Sequence, residues 1–483
     1  MKSIAQNTVF NVTYKLLNML FPMITSVYLT RVLGPIYLGK VTYAQNVLSY
    51  FLVFASFGIP TYGIREIAKV ASDNASKSQV FTELFCLNTI FTVICSIAFS
   101  ILINLWNYSR ANIALYICVG LSLYINVFNV DWFYAGIEEY VYITIRSAII
   151  KGLSILAIFI FVRNQKDYIV YALITSVATT GNYFLNILNL KRKVALCFKE
   201  IDLKQHLKPV FILFITMLAT DLYNQIDVTM LGIYYTEVEV AYYSSGVKLI
   251  RVINSITMAI SSTILPRMSL MYEKGDIIKF NKLFSKTLEI NILIAVPSSL
   301  GIMLISNEIV AILYGRNFYP TADVILVLAP IILIISVSYL VGSVVLTSTN
   351  NEKCLLYATF TGGLMNIALN SLFIPNYGMI GAAIASLAAE ISVLIIHLFF
   401  SNKFIHIYWD KEYYKSILIG LSGMIFVVVL CKKHINSIFL SVFASVLMGG
   451  AVYFYILLKC KNKFLISAKN ILKQKIKYFM KGR

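Results

Sequence analysis

A stripe of polar residues follows one face of the first apolar stretch of the chain. Within residues 7–36, five polar residues and one proline recur at steps of three and four: Thr8, Asn11, Lys15, Asn18, Pro22 and Thr25. Residues at this spacing share one face of a helix. Because a lysine is costly against lipid, this face should contact protein or water, and it predicts the wall of a polar cavity. The alternative is a helix–helix contact made by Asn and Thr, with Lys15 extending to the membrane surface.

Other ionisable residues lie within apolar stretches or at their ends. The basic ones are Arg31, Arg65, Arg146, Lys151, Lys248 and Arg251. Lys248 and Arg251 are three positions apart and share a helix face, which would be very costly against lipid. Arg146 and Lys151 are five positions apart and point in different directions, so they are not expected to line the same lumen. Arg65 has a second explanation, because an arginine just past the cytoplasmic end of a span satisfies the positive-inside bias.

Acidic and amide residues mark a second candidate site. The acidic residues within apolar stretches include Asp221, Asp227 and Glu390. Asp227 lies deep enough to bind a cation or to carry a proton, and Asn366 and Asn370 present two amides on one face of a later stretch. The alternative is that Asp221 and Asp227 form ion pairs with the basic residues of the neighbouring helix, since intramembrane charges tend to pair.

Membrane-spanning helices must position all of these residues. The chain has 483 residues, of which 59% are hydrophobic and 13% charged, whereas soluble proteins carry about 25% charged residues. We therefore predict an all-α integral membrane protein with about fourteen transmembrane helices. The candidate spans are 8–30, 41–63, 80–104, 112–136, 141–162, 168–190, 209–233, 240–265, 287–306, 323–347, 354–374, 378–400, 414–431 and 436–458.

The loops support this topology and give little room for an enzyme. Lys and Arg concentrate in alternate loops, which predicts that both termini are cytoplasmic. No HExxH, GxSxG or P-loop pattern is present, and no loop is long enough for a soluble catalytic domain. The seven cysteines form no CxxC or Cys/His cluster, so we expect no metal centre built on cysteine and no disulfide framework.

An internal repeat divides the chain. Residues 133–176 match residues 346–388 at a constant offset, which places Glu139 on Glu352 and Ala172 on Ala385. The repeat predicts two pseudo-symmetric six-helix lobes, and paired lobes with a site between them are a transporter architecture. The predicted segments are a first lobe over 1–190, a cytoplasmic linker over 191–208, a second lobe over 209–402, two C-terminal helices over 403–458 and a basic cytoplasmic tail over 459–483.

Several segments resemble a known family. DWFYAGIEEYVYITIRS (131–147), RVLGPIYLG (31–39), FGIPTYGIREIA (57–68), AILYGRNFYPTADVILVLAP (311–330) and FIPNYGMIGAAIASLAAE (373–390) are similar, in this order, to patches of Wzx-type bacterial polysaccharide and O-antigen flippases. The resemblance implies the fold of the multidrug/oligosaccharidyl-lipid/polysaccharide exporter superfamily, with a central cavity between the lobes. It also implies alternating-access movement of an undecaprenyl-pyrophosphate-linked oligosaccharide between leaflets of the bacterial cytoplasmic membrane, for capsule or O-antigen synthesis.

A diphosphate cargo gives the cations and carboxylates expected roles. A cationic cavity would offset the cost of desolvating the diphosphate, and arginine and lysine both suit phosphate. The expected substrate-binding residues are Asn11, Lys15, Asn18, Arg31, Arg65, Arg146, Lys248 and Arg251. The expected ion-coupling residues are Asp221, Asp227, Asn366, Asn370 and Glu390. Related lipid flippases bind sodium near such positions, so a sodium ion at Asp227, Asn366 and Asn370 is one hypothesis, and a proton carried by Asp227 or Glu390 competes with it.

Other functions remain open at this point. A multidrug or cation antiporter of the same superfamily is the main alternative, although its cavity is usually acidic and these lumen candidates are mostly basic. A membrane-embedded polymerase would need a long outer loop, and an interaction protein would leave the buried charges unexplained. We expect no cofactor apart from a coupling sodium ion or proton. The expected partners are membrane lipids, the lipid-linked oligosaccharide, a polysaccharide polymerase and a chain-length regulator, and no nucleic acid.

Overall fold

The computed structural model describes residues 4–190, 193–199, 201–406, 410–460 and 462. Side chains at 4–9, 11–12 and 15–20 are outside this description, and so are residues 461 and 463–483 of the predicted basic tail over 459–483. The described residues contain no strand. Their α-helices are α1 (Ile4–Ser56), α2 (Ile59–Lys69), α3 (Asn74–Leu105), α4 (Asn107–Ala111), α5 (Ile113–Tyr124), α6 (Asp131–Gly136), α7 (Tyr140–Phe161), α8 (Tyr168–Leu190), α9 (Lys204–Tyr234), α10 (Glu237–Glu273), α11 (Ile277–Leu304), α12 (Ser306–Leu313), α13 (Thr321–Leu328), α14 (Ile331–Tyr339), α15 (Glu352–Ser401), α16 (Lys411–His434) and α17 (Ile438–Lys459).

Two of these helices are far longer than a bilayer is thick. Helix α1 has 53 residues and α15 has 50, so each would be about 75–80 Å long if straight, against a hydrocarbon core of about 30 Å. Each is broken by a glycine with a positive φ, Gly34 at 68° and Gly378 at 52°. The breaks fall where the sequence predicts the end of one span and the start of the next. Each long helix therefore supplies two predicted spans.

The described residues include nine helices that are long and apolar enough to cross a membrane. A tenth span is obtained if Thr321–Leu328 and Ile331–Leu346, which meet at an angle of 42°, count as one. Helix α8 coincides with the predicted span 168–190. The multi-pass, all-α class is confirmed, whereas the total of fourteen spans stays a prediction.

The predicted continuous span over 112–136 is wrong in its second half. Helix α5 ends at Tyr124, and a 3₁₀ turn and the short α6 follow it. The side-chain amide of Asn88 donates to the backbone carbonyls of Asn126 (3.1 Å) and Val127 (3.1 Å). Irregular backbone is tolerated at membrane depth where protein satisfies its polar groups, and Asn88 meets that requirement here.

The chain packs as two compact units. The first comprises residues 1–248 and 359–389, and the second comprises 249–358 and 390–483. The first unit has a core around Phe99 and Tyr116 in which α1, α3 and α5 meet, and the second has one around Phe280 and Phe284. These units are defined by packing rather than by the internal repeat, so the predicted lobe boundaries stay a prediction.

Candidate functional site

A buried carboxylate lies at the centre of one polar cluster in the first unit. Asp227 in α9 is 7% exposed and accepts hydrogen bonds on both carboxylate oxygens. Its Oδ1 accepts from the amide of Asn370 (2.6 Å), and its Oδ2 accepts from the hydroxyls of Ser386 (2.6 Å) and Tyr243. Asn370 also donates to Oδ1 of Asn366 (3.0 Å). We call these five residues the Asp227 cluster.

The break in α15 brings the cluster together. Asn366 and Asn370 are one helical turn apart before the break, and Ser386 lies after it. The chain folds back at Gly378, where the backbone is not helical, and this brings Gly381 so close to Phe373 that a Cβ on Gly381 would lie 2.3 Å from the Phe373 carbonyl oxygen. Small residues after the break allow this close approach.

The donors and acceptors of the cluster suit a hard cation or a proton. Oδ1 of Asn370 is buried and has no hydrogen-bond partner among the described residues. It lies beside a carboxylate, so it is an oxygen available to a ligand. Sodium and similar cations prefer carboxylate, amide and hydroxyl oxygens, and Asp227, Asn370, Asn366 and Ser386 supply all three types. The side chains present are therefore of the types that bind a hard cation.

The C-terminal half of α9 packs on the second half of α1 through polar contacts. Asn46 donates to the carbonyl oxygen of Gln225 (3.1 Å) and accepts from the hydroxyl of Thr229 (2.7 Å). Tyr50 and Thr229 share a second hydrogen bond (2.7 Å). Ser49 donates to Asp221 (3.4 Å), which places this predicted ion-coupling residue at a different contact from Asp227.

Arg146 is buried in a second polar cluster of the first unit. Its guanidinium donates to Asp131 (2.9 Å), Asn182 (3.0 Å) and Asn186, and only 3% of its side chain is exposed. Asp131 therefore balances its charge. This arrangement stabilises α6, α7 and α8 against one another, and the predicted contact of Arg146 with substrate stays untested.

The other predicted substrate-binding residues are dispersed. Arg65 is exposed, pairs with Glu66 (3.0 Å) and lies over the Tyr62 ring, as a span-end arginine would. Arg31 is exposed and precedes the break in α1. The predicted residues Asn11, Lys15 and Asn18 lie in α1, and their side chains are outside the described residues.

Three predicted residues lie near the boundary of the two units along the chain. Lys248 belongs to the first unit, whereas Arg251, three positions later on α10, belongs to the second. Lys248 is half-buried and Arg251 is exposed. Glu390 is half-buried and is the first residue of the last segment of the second unit.

Sequence reasoning missed two members of the Asp227 cluster. Ser386 lies in GAAIAS, which the sequence interprets only as a small-residue packing face. Tyr243 lies on the helix after Asp227, sixteen positions away, at no diagnostic spacing. A buried carboxylate needs donors, so a search for hydroxyls on the helices predicted beside α9 could have found both.

The comparisons with known proteins agree on a class of membrane protein. The family model described as "Polysaccharide biosynthesis protein" matches residues 4–272, and the model described as "MatE" matches residues 213–372. A relative named "Putative O-antigen transporter" from Escherichia coli (strain K12) is 26% identical over 417 residues, which are 83% of this chain and 98% of that protein. A protein of the same name from Shigella dysenteriae is 22% identical over 389 residues, covering 79% of this chain and 96% of its own length.

A solved structure shows the same fold. It is described as "Lipid II flippase MurJ, inward closed conformation", has a TM-score of 0.76 at 16% sequence identity, and the match covers 93% of this chain and 98% of that one. An inward-facing multidrug resistance transporter of the MATE family matches with a TM-score of 0.64 over 82% of this chain. At these identities the likeness establishes the fold alone.

Proposed function

We propose that this chain, which belongs to the polysaccharide biosynthesis protein family, is a flippase for lipid-linked glycans. The match over residues 4–272 and the near-complete overlap with transporters of O-antigen support this function. These relatives are named as transporters, which agrees with the prediction of a transport protein rather than an enzyme. The finer proposal is that the cargo is an oligosaccharide repeat unit on undecaprenyl pyrophosphate, carried from the inner to the outer leaflet.

The Asp227 cluster carries the proposal that transport is coupled to an ion. A buried carboxylate in an apolar helix is costly, so its presence calls for a functional role. Asp227, Asn366, Asn370 and Ser386 would hold a sodium ion, which would contribute a positive charge that the carboxylate compensates. A proton on Asp227 would serve the same purpose, and then Ser386 or Tyr243 would turn its hydroxyl to accept rather than donate.

Basic residues carry the proposal for the diphosphate. Lys15, Lys248 and Arg251 lie within or beside apolar helices, and each offers a charge that would offset the desolvation of phosphate oxygens. Arg65 and Arg31 sit at the ends of predicted spans, where they could meet the diphosphate as it enters or leaves. Arg146 is a weaker candidate for binding the diphosphate, because its charge is already balanced by Asp131.

The membrane location and the protein partners follow from the proposed cargo. Because undecaprenyl carriers are built on the inner face of the bacterial cytoplasmic membrane, we place the chain there, with both termini in the cytoplasm as the Lys/Arg distribution predicts. A polysaccharide polymerase and a chain-length regulator would use the product on the outer face. Capsule or O-antigen would be the final polymer.

One observation favours a second candidate, a multidrug or cation antiporter. The MatE model matches residues 213–372, which include Asp227 and both amides of the Asp227 cluster. A carboxylate exchanging a cation for a cationic drug would use the same residues. The basic candidates elsewhere argue against a cationic cargo, because like charges repel.

Complementation separates the two candidates. Cells that lack their own flippase but make the matching lipid-linked repeat unit should regain surface polysaccharide when they express this chain. Lys15→Ala, Lys248→Ala and Arg251→Ala should each insert normally and lose that rescue, whereas Lys279→Ala, on an exposed lysine, should retain it. Full rescue by all three variants would contradict the cationic path, and drug resistance without polysaccharide would favour the antiporter.

A further inference from the structure

The first unit contains a polar cavity whose described lining includes no member of the Asp227 cluster. Its volume is about 370 Å³, and α1, α7, α8 and the segment leading into α6 all contribute to its wall. The wall includes Tyr14, Phe21, Asp131, Lys151, Asn182 and Tyr183. Pockets for small ligands usually measure about 300–1,000 Å³, so the cavity is large enough for one compact molecule.

Asp131 offers an acceptor at this cavity. Its Oδ1 accepts from Arg146 (2.9 Å) and from the amide of Asn186 (2.6 Å), whereas its Oδ2 has no hydrogen-bond donor among the described residues. About a third of the side chain is exposed, and the residue borders the cavity. Arg146 fixes the orientation of the carboxylate from behind and balances its charge. The second oxygen is thus positioned to accept from a ligand hydroxyl.

The lining also contains a cation, an aromatic ring and further polar groups. Lys151 and Ser147, one turn apart on α7, both line the cavity, and the ammonium of Lys151 lies 5.5 Å from the centre of the Phe21 ring. Thr179 and Asn182 contribute a hydroxyl and an amide from one face of α8. Thr179 donates to the carbonyl of Thr175 (3.0 Å) and Asn182 to that of Ala178 (2.8 Å), so what they offer a ligand is the hydroxyl oxygen of Thr179 as an acceptor and the second N–H of Asn182 as a donor. The wall therefore combines polar groups with the face of one aromatic ring.

This combination fits a sugar ring better than an anion or an apolar molecule. A pyranose presents hydroxyls around its edge, which need both acceptors and donors, and an apolar face that can lie against an aromatic ring. A phosphate group presents mainly acceptor oxygens, so it could not donate to the Oδ2 of Asp131. An apolar molecule would leave the Oδ2 of Asp131 desolvated without a new partner.

We propose that this cavity binds one sugar residue of the transported oligosaccharide. The inference rests on the proposed function for the identity of the ligand, but it concerns a different part of the first unit from the Asp227 cluster. Asp131 accepts a hydrogen bond from one or two sugar hydroxyls, and Lys151 donates to a further hydroxyl. Phe21 packs against the apolar face of the sugar ring. The site would distinguish glycans by their sugar, which a diphosphate site cannot do.

Ligand-observed NMR on the full chain in lipid nanodiscs tests the proposal. The probe is the free repeat-unit oligosaccharide, released by hydrolysis and lacking both lipid and phosphate. Saturation transfer from protein to sugar should be clear for the unaltered chain. The affinity for the sugar should fall at least tenfold in Asp131→Asn and in Thr179→Trp. The tryptophan fills the cavity and leaves the contacts of Arg146 with Asp131, Asn182 and Asn186 intact. Asp167→Asn, on a carboxylate of the same unit that is not in the described lining of the cavity, should bind as the unaltered chain does.

The outcomes separate this inference from the proposed function. Equal transfer in all variants, or none in the unaltered chain, would overturn the sugar site, as would displacement of the sugar by inorganic pyrophosphate. The assay measures binding without transport, so transport of the complete lipid-linked cargo is scored separately in vesicles. Transport without sugar binding would refute only the cavity proposal. Sugar binding without transport would refute only the flippase proposal.

Discussion

Replacement of Asp227 by asparagine tests the proposed cation site most directly. The change removes one charge and preserves shape, and one oxygen remains for Asn370 to donate to. The hydroxyls of Ser386 and Tyr243 can rotate to accept from the new amide, so the variant should fold. What it loses is the attraction between a cation and the carboxylate.

The size of that loss follows from Coulomb's law. Two unit charges about 4 Å apart attract by about 4 kcal/mol at an effective dielectric constant of about 20. Each 1.4 kcal/mol is about tenfold in affinity, so sodium affinity should fall by a factor on the order of 100 to 1,000. A ligand at 100 times its Kd stabilises a protein by about 2.7 kcal/mol, which is enough to raise Tm measurably.

The assay is the Tm of the purified protein in sodium chloride and in potassium chloride at equal ionic strength. The unaltered chain should melt at a higher temperature in sodium, and Asp227→Asn should show no difference between the two salts. Asp323→Asn, on an exposed acid of the second unit, is the control and should keep the difference. A sodium-dependent Tm that survives in Asp227→Asn would refute the site, and an unaltered chain that responds to pH instead of sodium would support the proton alternative.

Three further changes probe the structure around the sites. Arg146→Ala should destabilise the protein by about 1.5–3 kcal/mol, because it removes the charge-assisted hydrogen bonds of a buried guanidinium to Asp131, Asn182 and Asn186, and a thermal melt that does not move would contradict the ion pair. Gly378→Ala should sharply lower the yield of folded protein, because the new Cβ would lie 2.3 Å from a carboxylate oxygen of Glu239 and the backbone has a φ that L residues avoid. Gly301→Ala is the control, because a Cβ there would have no neighbour within 4 Å. Equal size-exclusion profiles for the two variants would disprove this prediction. Asn370→Asp should increase the stabilisation by sodium, because a second carboxylate joins the site, and titration of Tm against sodium would show it by a lower half-saturating concentration.

The sequence predicted the composition of the Asp227 cluster in part. Depth in an apolar stretch singled out Asp227, and the four-residue spacing of Asn366 and Asn370 placed both amides on one face; the structure brings all three into contact. Ser386 could not be predicted, because it reaches the cluster only after the chain folds back at Gly378. That fold depends on a backbone conformation that a helical pattern does not reveal.

The second polar cluster shows a different limit. The spacing of Arg146 and Lys151 indicated that they face different ways, and the structure places the buried Arg146 in an ion pair with Asp131 and Lys151 in the lining of a cavity. The partner of Arg146 is Asp131, which starts a short helix after the irregular segment that a hydropathy profile reads as one continuous span. Hydropathy averages over such breaks, so neither the broken span nor the pairing across it can be recognised from the profile.

Transport of a lipid-linked oligosaccharide by the purified chain is the measurement that bears most directly on the proposed function. Proteoliposomes would carry a fluorescent undecaprenyl-pyrophosphate oligosaccharide in one leaflet, and a membrane-impermeant quencher would report its arrival in the other. We predict transfer that depends on the protein, that accelerates with a sodium or proton gradient, and that Asp227→Asn makes insensitive to the gradient. Transfer no faster than in protein-free vesicles, under either gradient, would contradict the proposed flippase.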